Sequence, residues 1–99
     1  MPRNDWVGGL RTIIESAVAQ EKADKYANTE KRFTELYAGL KWKLAHSCEK
    51  MQHMSRKIEG KDYHLSVVPG DNDAGTREVT VLYSYNDEEV TIHDFEIGL

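Results

Sequence analysis

Residues 29–60 read TEKRFTELYAGLKWKLAHSCEKMQHMSRKIEG, and the reading of this stretch decides the fold. Phe33, Leu36, Tyr37, Leu40, Leu44, Cys48, Met51, Met54 and Ile58 step by three or four, the spacing of one helical face. No proline interrupts them. Asn28 or Thr29 can supply an N-cap oxygen, and Glu30 suits the positive end of the helix dipole. Arg56 and Lys57 suit the negative end, and Gly60 fits the position just past it. The spacing therefore predicts one helix over 29–59, about 45 Å long. So long an apolar stripe exceeds what a small sheet covers. That predicts a homodimer or higher oligomer joined through the helices, with Tyr37, Leu40, Met51 and Met54 in contact, because Met and aromatic residues are enriched in interface cores.

Upstream, Leu10, Ile13, Ile14, Ala17 and Val18 form a second compact stripe and predict a helix over 10–26. Gly8-Gly9 loosens its first turn. Asn28-Thr29 is the only punctuation between the two segments, so they form a helical hairpin turning near Asn28, or one long bent helix. Downstream of Gly60 the period becomes two. Tyr63, Leu65 and Val67 alternate with polar neighbours, as do Val79, Val81, Tyr83 and Tyr85. Residues 69–76 are a polar loop too long for a tight hairpin, and Asn86-Asp87-Glu88-Glu89 is a turn. Val90 and Ile92 are out of phase with Phe95 and Ile97, which a bulge at His93-Asp94 reconciles. The expected architecture is α+β. A helical part spans about 5–59 and a three-stranded antiparallel meander spans about 62–97, within a single domain of 99 residues.

Composition narrows the function classes. One cysteine excludes an internal disulfide and a thiolate metal cluster within one chain. No apolar run reaches the ~18–20 residues of a membrane span, and Met1-Pro2-Arg3-Asn4-Asp5 does not begin a secretory signal. The expectation is a cytoplasmic, reducing environment with no membrane contact. Net charge is −4, but it is unevenly spread. Residues 1–61 hold twelve Lys and Arg against eight acids; residues 62–99 hold Arg77 against nine acids. The two parts either face and neutralise each other or offer surfaces of opposite sign.

Two surfaces are candidates for binding. Trp42, His46, Lys50, His53 and Lys57 share one side of the long helix if it is continuous, with Lys43 adjacent. An aromatic plane among cations suits phosphates and bases, or anchors a protein contact. The second is acidic: Asp71, Asp73, Asp87, Glu88, Glu89, Asp94 and Glu96 line the edges or ends of the sheet and complement a basic surface. His46, Glu49 and His53 are too far apart along a helix for one ion, and Asp71-Asn72-Asp73 fails the calcium-loop spacing, so no metal or cofactor is expected. Cys48 lies in the apolar stripe and reads as a small buried hydrophobe. Neither a nucleophile elbow nor a phosphate-cradling glycine loop is present. The leading expectation is therefore a non-catalytic protein-interaction module, a small regulator or inhibitor of phage or mobile-element type. The alternatives are a nucleotide or RNA binder using the basic helix face, and a small hydrolase in which His64 or His93 meets an acid.

Overall fold

The computed structural model describes residues 10–30, 32–70 and 77–98. Strand β1 (Thr12–Glu15) leads into helix α1 (Ala17–Thr29) and helix α2 (Phe33–Ser47), which ends in a 3-10 turn over Cys48–Lys50. Strands β2 (Met54–Ile58), β3 (Lys61–Val68), β4 (Val79–Tyr85) and β5 (Glu89–Ile97) follow. They form one five-stranded sheet in the order β1-β5-β4-β3-β2, with β1 parallel to β5 and the remaining pairs antiparallel. The α+β class holds. The sheet has five strands rather than three, because a strand is added at each edge of the expected meander.

Both added strands come from stretches whose apolar spacing also fits a helix. Thr12-Ile13-Ile14 is a β-branched run, and such side chains suit a pleated surface better than a helix. Ile13 pairs with Val90 and faces the core, so its burial is realised in a strand. At the other edge, α2 stops at Ser47, and Met54–Ile58 pairs with Lys61–Leu65. The two residues between these strands, Glu59 and Gly60, have φ of 51° and 80°. Positive φ at both central positions makes the tight hairpin whose twist matches its strands. Gly60 therefore turns a hairpin rather than ending a helix.

The helices are separate, but the break falls past the expected Asn28-Thr29 turn: α1 runs through Thr29 and α2 starts at Phe33. Arg32, at φ 61°, separates α1 from α2, so one continuous bent rod does not form. Ser16 caps α1: its Oγ accepts from Ala19 N at 3.1 Å and donates to the His93 carbonyl at 2.7 Å. The bulge is also present. Leu82 pairs with Asp94 and Tyr83 with Ile92, leaving His93 as the extra residue.

Phe33, Tyr37, Leu40, Leu44 and Cys48 lie buried on one stripe of α2 and its terminal turn. They pack with Val79, Val81 and Tyr83 of β4 and Val90, Ile92 and Phe95 of β5. The Tyr37 and Phe95 rings stack at 5.0 Å and the Phe33 and Tyr37 rings at 5.1 Å. The stripe is thus covered within one chain, which corrects the expected helical oligomer interface. Tyr37 and Leu40 are 6% and 3% exposed, spent on the core of their own chain rather than offered to a second subunit. Met51 packs at the margin of the core, and Met54 sits on β2 at 61% exposure. Leu44→Ala should cost about 2–5 kcal/mol in denaturant unfolding, because it empties a fully buried site. Trp42→Ala, at an exposed site on the same helix, should change stability by less than about 0.5 kcal/mol.

Candidate partner-binding surfaces

Arg11 organises one end of the molecule. Its backbone N–H donates to Ala45 O of α2 at 3.0 Å, and its Nε donates to Asn86 O at 2.7 Å. Its guanidinium pairs with Glu49 at 3.0 Å and lies 5.3 Å from the centre of the Tyr85 ring. The Arg11 side chain is mostly shielded, at 12% exposure, so this pair holds better than an open surface pair. The next residue, Thr12, donates its N–H to Glu88 O at 2.9 Å. The start of β1 therefore joins the end of α2 to the β4–β5 hairpin.

That hairpin carries Asp87, Glu88 and Glu89, all exposed. Asn86 shapes it: its Oδ1 accepts from the N–H groups of Glu88 and Glu89, each at 2.8 Å. Such a side-chain turn is what short Asx side chains supply. On α2, one turn before Ala45, Trp42 is 62% exposed and stacks on His46 at 4.0 Å between ring centres. His46 Nδ1 lies 2.8 Å from the Trp42 carbonyl, which accepts from it. The indole is therefore presented to solvent while stacked on one face by His46.

The rest of the expected basic row is dispersed. Lys43 and Lys50 are exposed on α2 and the 3-10 turn. His53 lies beyond the helix, where its N–H donates to Leu65 O at 2.8 Å and its Nδ1 accepts from Val67 N at 3.1 Å. Lys57 lies on β2, paired with Asp62 at 3.1 Å. Six residues expected on one helix face therefore occupy two separate regions, because the helix ends at Ser47. The acidic set also divides. Asp87, Glu88 and Glu89 form the hairpin tip, while Asp94 and Glu96 flank Lys22 of α1. Lys22 Nζ reaches Asp94 at 2.7 Å, contacts Glu96 and donates to Phe95 O at 3.2 Å. Hydrogen bonds to Asp94 and then Glu96 hold its ammonium above the usual lysine range. Here the two oppositely charged parts of the chain face each other. Asp71 and Asp73 lie outside the described residues.

Two Ser–His pairs are present. Ser55 Oγ is 2.8 Å from His64 Nδ1, and Ser84 Oγ is 2.8 Å from His93 Nε2. Ser84 is 6% exposed, so its hydroxyl is shielded rather than offered to a substrate. Burial raises the Cys48 thiol above its usual range, which keeps it protonated. Among the described residues, no group of three His, Cys, Asp or Glu side chains could hold a metal ion. No described helix is long and apolar enough to cross a membrane.

A further surface is the face of the sheet turned away from the helices. The register places Met54, Leu65, Leu82 and Asp94 in one row across β2 to β5, opposite in phase to the buried Val81 and Phe95. A groove of about 210 Å³ opens on this face between Met54, Ile58, Tyr63, Leu65 and Leu82. The alternation in β4 marks its core face, but only the register shows that Tyr63 and Leu65 of β3 lie on the opposite, bare one.

No protein-family model, curated protein or solved structure matches the chain.

His93 gives this region a pH dependence. Burial, and secondarily the Lys61 charge, hold its imidazole below the ordinary histidine value of 6.5. The Tyr63 ring lies edge-on at 5.0 Å. The unfolded chain takes up this proton more readily than the folded protein. Stability should therefore fall as pH drops below that ordinary value, and level off below the folded value. Thermal melts between about pH 7 and about pH 5 should show this loss, and His93→Gln should reduce it.

Proposed function

We propose that this protein is a non-catalytic protein-interaction module, a small regulator or inhibitor that covers a basic surface on a larger macromolecule. The contact end is the one organised by Arg11. One observation carries the reading: Arg11 ties the acidic tip Asp87-Glu88-Glu89 to the helix end that displays Trp42. An exposed tryptophan at the same end of the molecule as an acidic tip supplies both elements of a specific contact. The aromatic gives the desolvated anchor, and the acids give steering and register. The acids at the tip are held by backbone geometry rather than by cations, so their charge is available to a partner.

The nucleic-acid reading is less well supported. It keeps Trp42, Lys43, His46 and Lys50 but loses His53 and Lys57 to the β2 side of the molecule. The net charge of −4 also opposes a phosphate backbone.

Affinity capture from the cells that express the protein tests the proposal, with the wild type and two variants run side by side. A retained protein with a basic surface is expected. Glu88→Lys/Glu89→Lys should slow its association about tenfold at low salt and much less at high salt. Trp42→Ala should weaken its affinity by about 2 kcal/mol, expressed mainly as faster dissociation. If both variants retain the same partner as strongly as the wild type at both salt levels, the Arg11 end is not the binding surface.

A further inference from the structure

We propose that two copies of this chain pack through the bare face of the sheet, face to face, about a twofold axis lying in the plane of the interface. This inference is independent of the Arg11 end, which it leaves free.

Three observations on that face support it. First, its centre is apolar. Met54 and Ile58 are 61% and 47% exposed, beside half-buried Tyr63, Leu65 and Leu82. Water-exposed apolar surface of this kind is stabilised by coverage, and two sheets meet face to face at about 10 Å with interleaved side chains.

Second, apart from Asp94, which Lys22 pairs, the strand charges on the face are segregated to opposite corners. Arg56 and Lys61 lie beside the Glu59-Gly60 turn, on β2 and β3. Glu78 and Glu96 lie at the other end, on the β4–β5 side, since Thr80 pairs with Glu96 and Glu78 is two residues before Thr80. Glu96 already contacts Lys22, but Glu78 and Arg56 make no ion pair among the described residues. A twofold contact must be self-complementary, because each patch meets its counterpart on the same surface. An in-plane axis running across the diagonal between the two corners lays the basic corner of each copy on the acidic corner of the other. The pairing then occurs twice.

Third, the alternative self-contact is blocked. The outer edge of β2 is open, but joining two β2 strands antiparallel brings Arg56 and Lys57 close to their own copies. Like charges across a ladder are destabilising, and basic residues on an edge strand discourage such pairing. The edge is guarded against a second copy, and the face is not.

The test uses charge reversal and mixing, read by sedimentation at micromolar concentration. The wild type should run at twice the chain mass. Arg56→Glu alone and Glu78→Lys alone each place like charges opposite one another twice, and each should raise the dissociation constant about thirtyfold or more. Mixed in equal amounts, the two variants should recover the dimer. The carboxylate introduced by Arg56→Glu in one copy then meets the ammonium introduced by Glu78→Lys in the other, and at the second contact the unaltered Glu78 meets the unaltered Arg56. Met54→Lys, which alters only the apolar centre, should also dissociate the pair while leaving the circular dichroism spectrum unchanged. A wild type that stays monomeric overturns the proposal. So does a dimer that both charge variants leave intact, or a mixture of the variants that fails to associate.

Discussion

The parallel ladder between β1 and β5 is the constraint from which the remaining architecture follows. It ties Ile13 to Val90, far apart in the sequence, and so places β1 along one edge of β5. Ser16, just past β1, makes the tie rigid. Its N–H donates to Ile92 O at 3.0 Å, and its hydroxyl joins the bulged His93 carbonyl to the first turn of α1. One residue thus ends a strand, caps a helix and satisfies a carbonyl that the bulge would otherwise leave unpaired. With α1 anchored there, α2 must lie over β5 and β4, and the chain can reach β2 only after the helix has ended.

The edges of the sheet are treated differently as a result. Beyond β1, the free part of β5 is served by side chains of the helical layer, with Ser16 on the His93 carbonyl and Lys22 on the Phe95 carbonyl. At the opposite edge, β2 is exposed along its whole length and relies on Arg56 and Lys57. The cations that the sequence concentrates in its first part are therefore divided by the fold. Some neutralise the acids of β5, and others guard an edge. The signed surfaces that remain are the hairpin tip beside Arg11 and the two corners of the bare face.

Much of the fold was legible where a segment had only one way to bury its apolar residues. The stripe from Phe33 to Cys48, the alternation in β4, the turn at Asn86 and the bulge at His93 all lie where the pattern puts them; in β3 it is Ser66 that is buried while Tyr63 and Leu65 face away from the helices, and α1 runs past Asn28 to Thr29. The errors fall on segments with two solutions. Ile13-Ile14 and Met54-Ser55-Arg56-Lys57-Ile58 fit the margin of a helical stripe, and they fit a strand equally well. The spacing puts Trp42 on the polar side of the helix, where it is exposed, but its place at the same end of the molecule as the acidic tip depends on the contacts of Arg11. Nothing in the local sequence around Arg11 distinguishes it from a solvated arginine.

Periodicity determined that this chain has an amphipathic helix and a following run of strands, and composition that its charge is strongly divided. These are properties of neighbouring residues, and side-chain spacing expresses them directly. The tertiary structure decided which ambiguous segments became strands, which face of the sheet the helices cover and which charges are neutralised internally. Those outcomes depend on contacts between residues far apart in the chain, such as Ile13 with Val90 or Lys22 with Asp94, and short-range spacing carries no information about them.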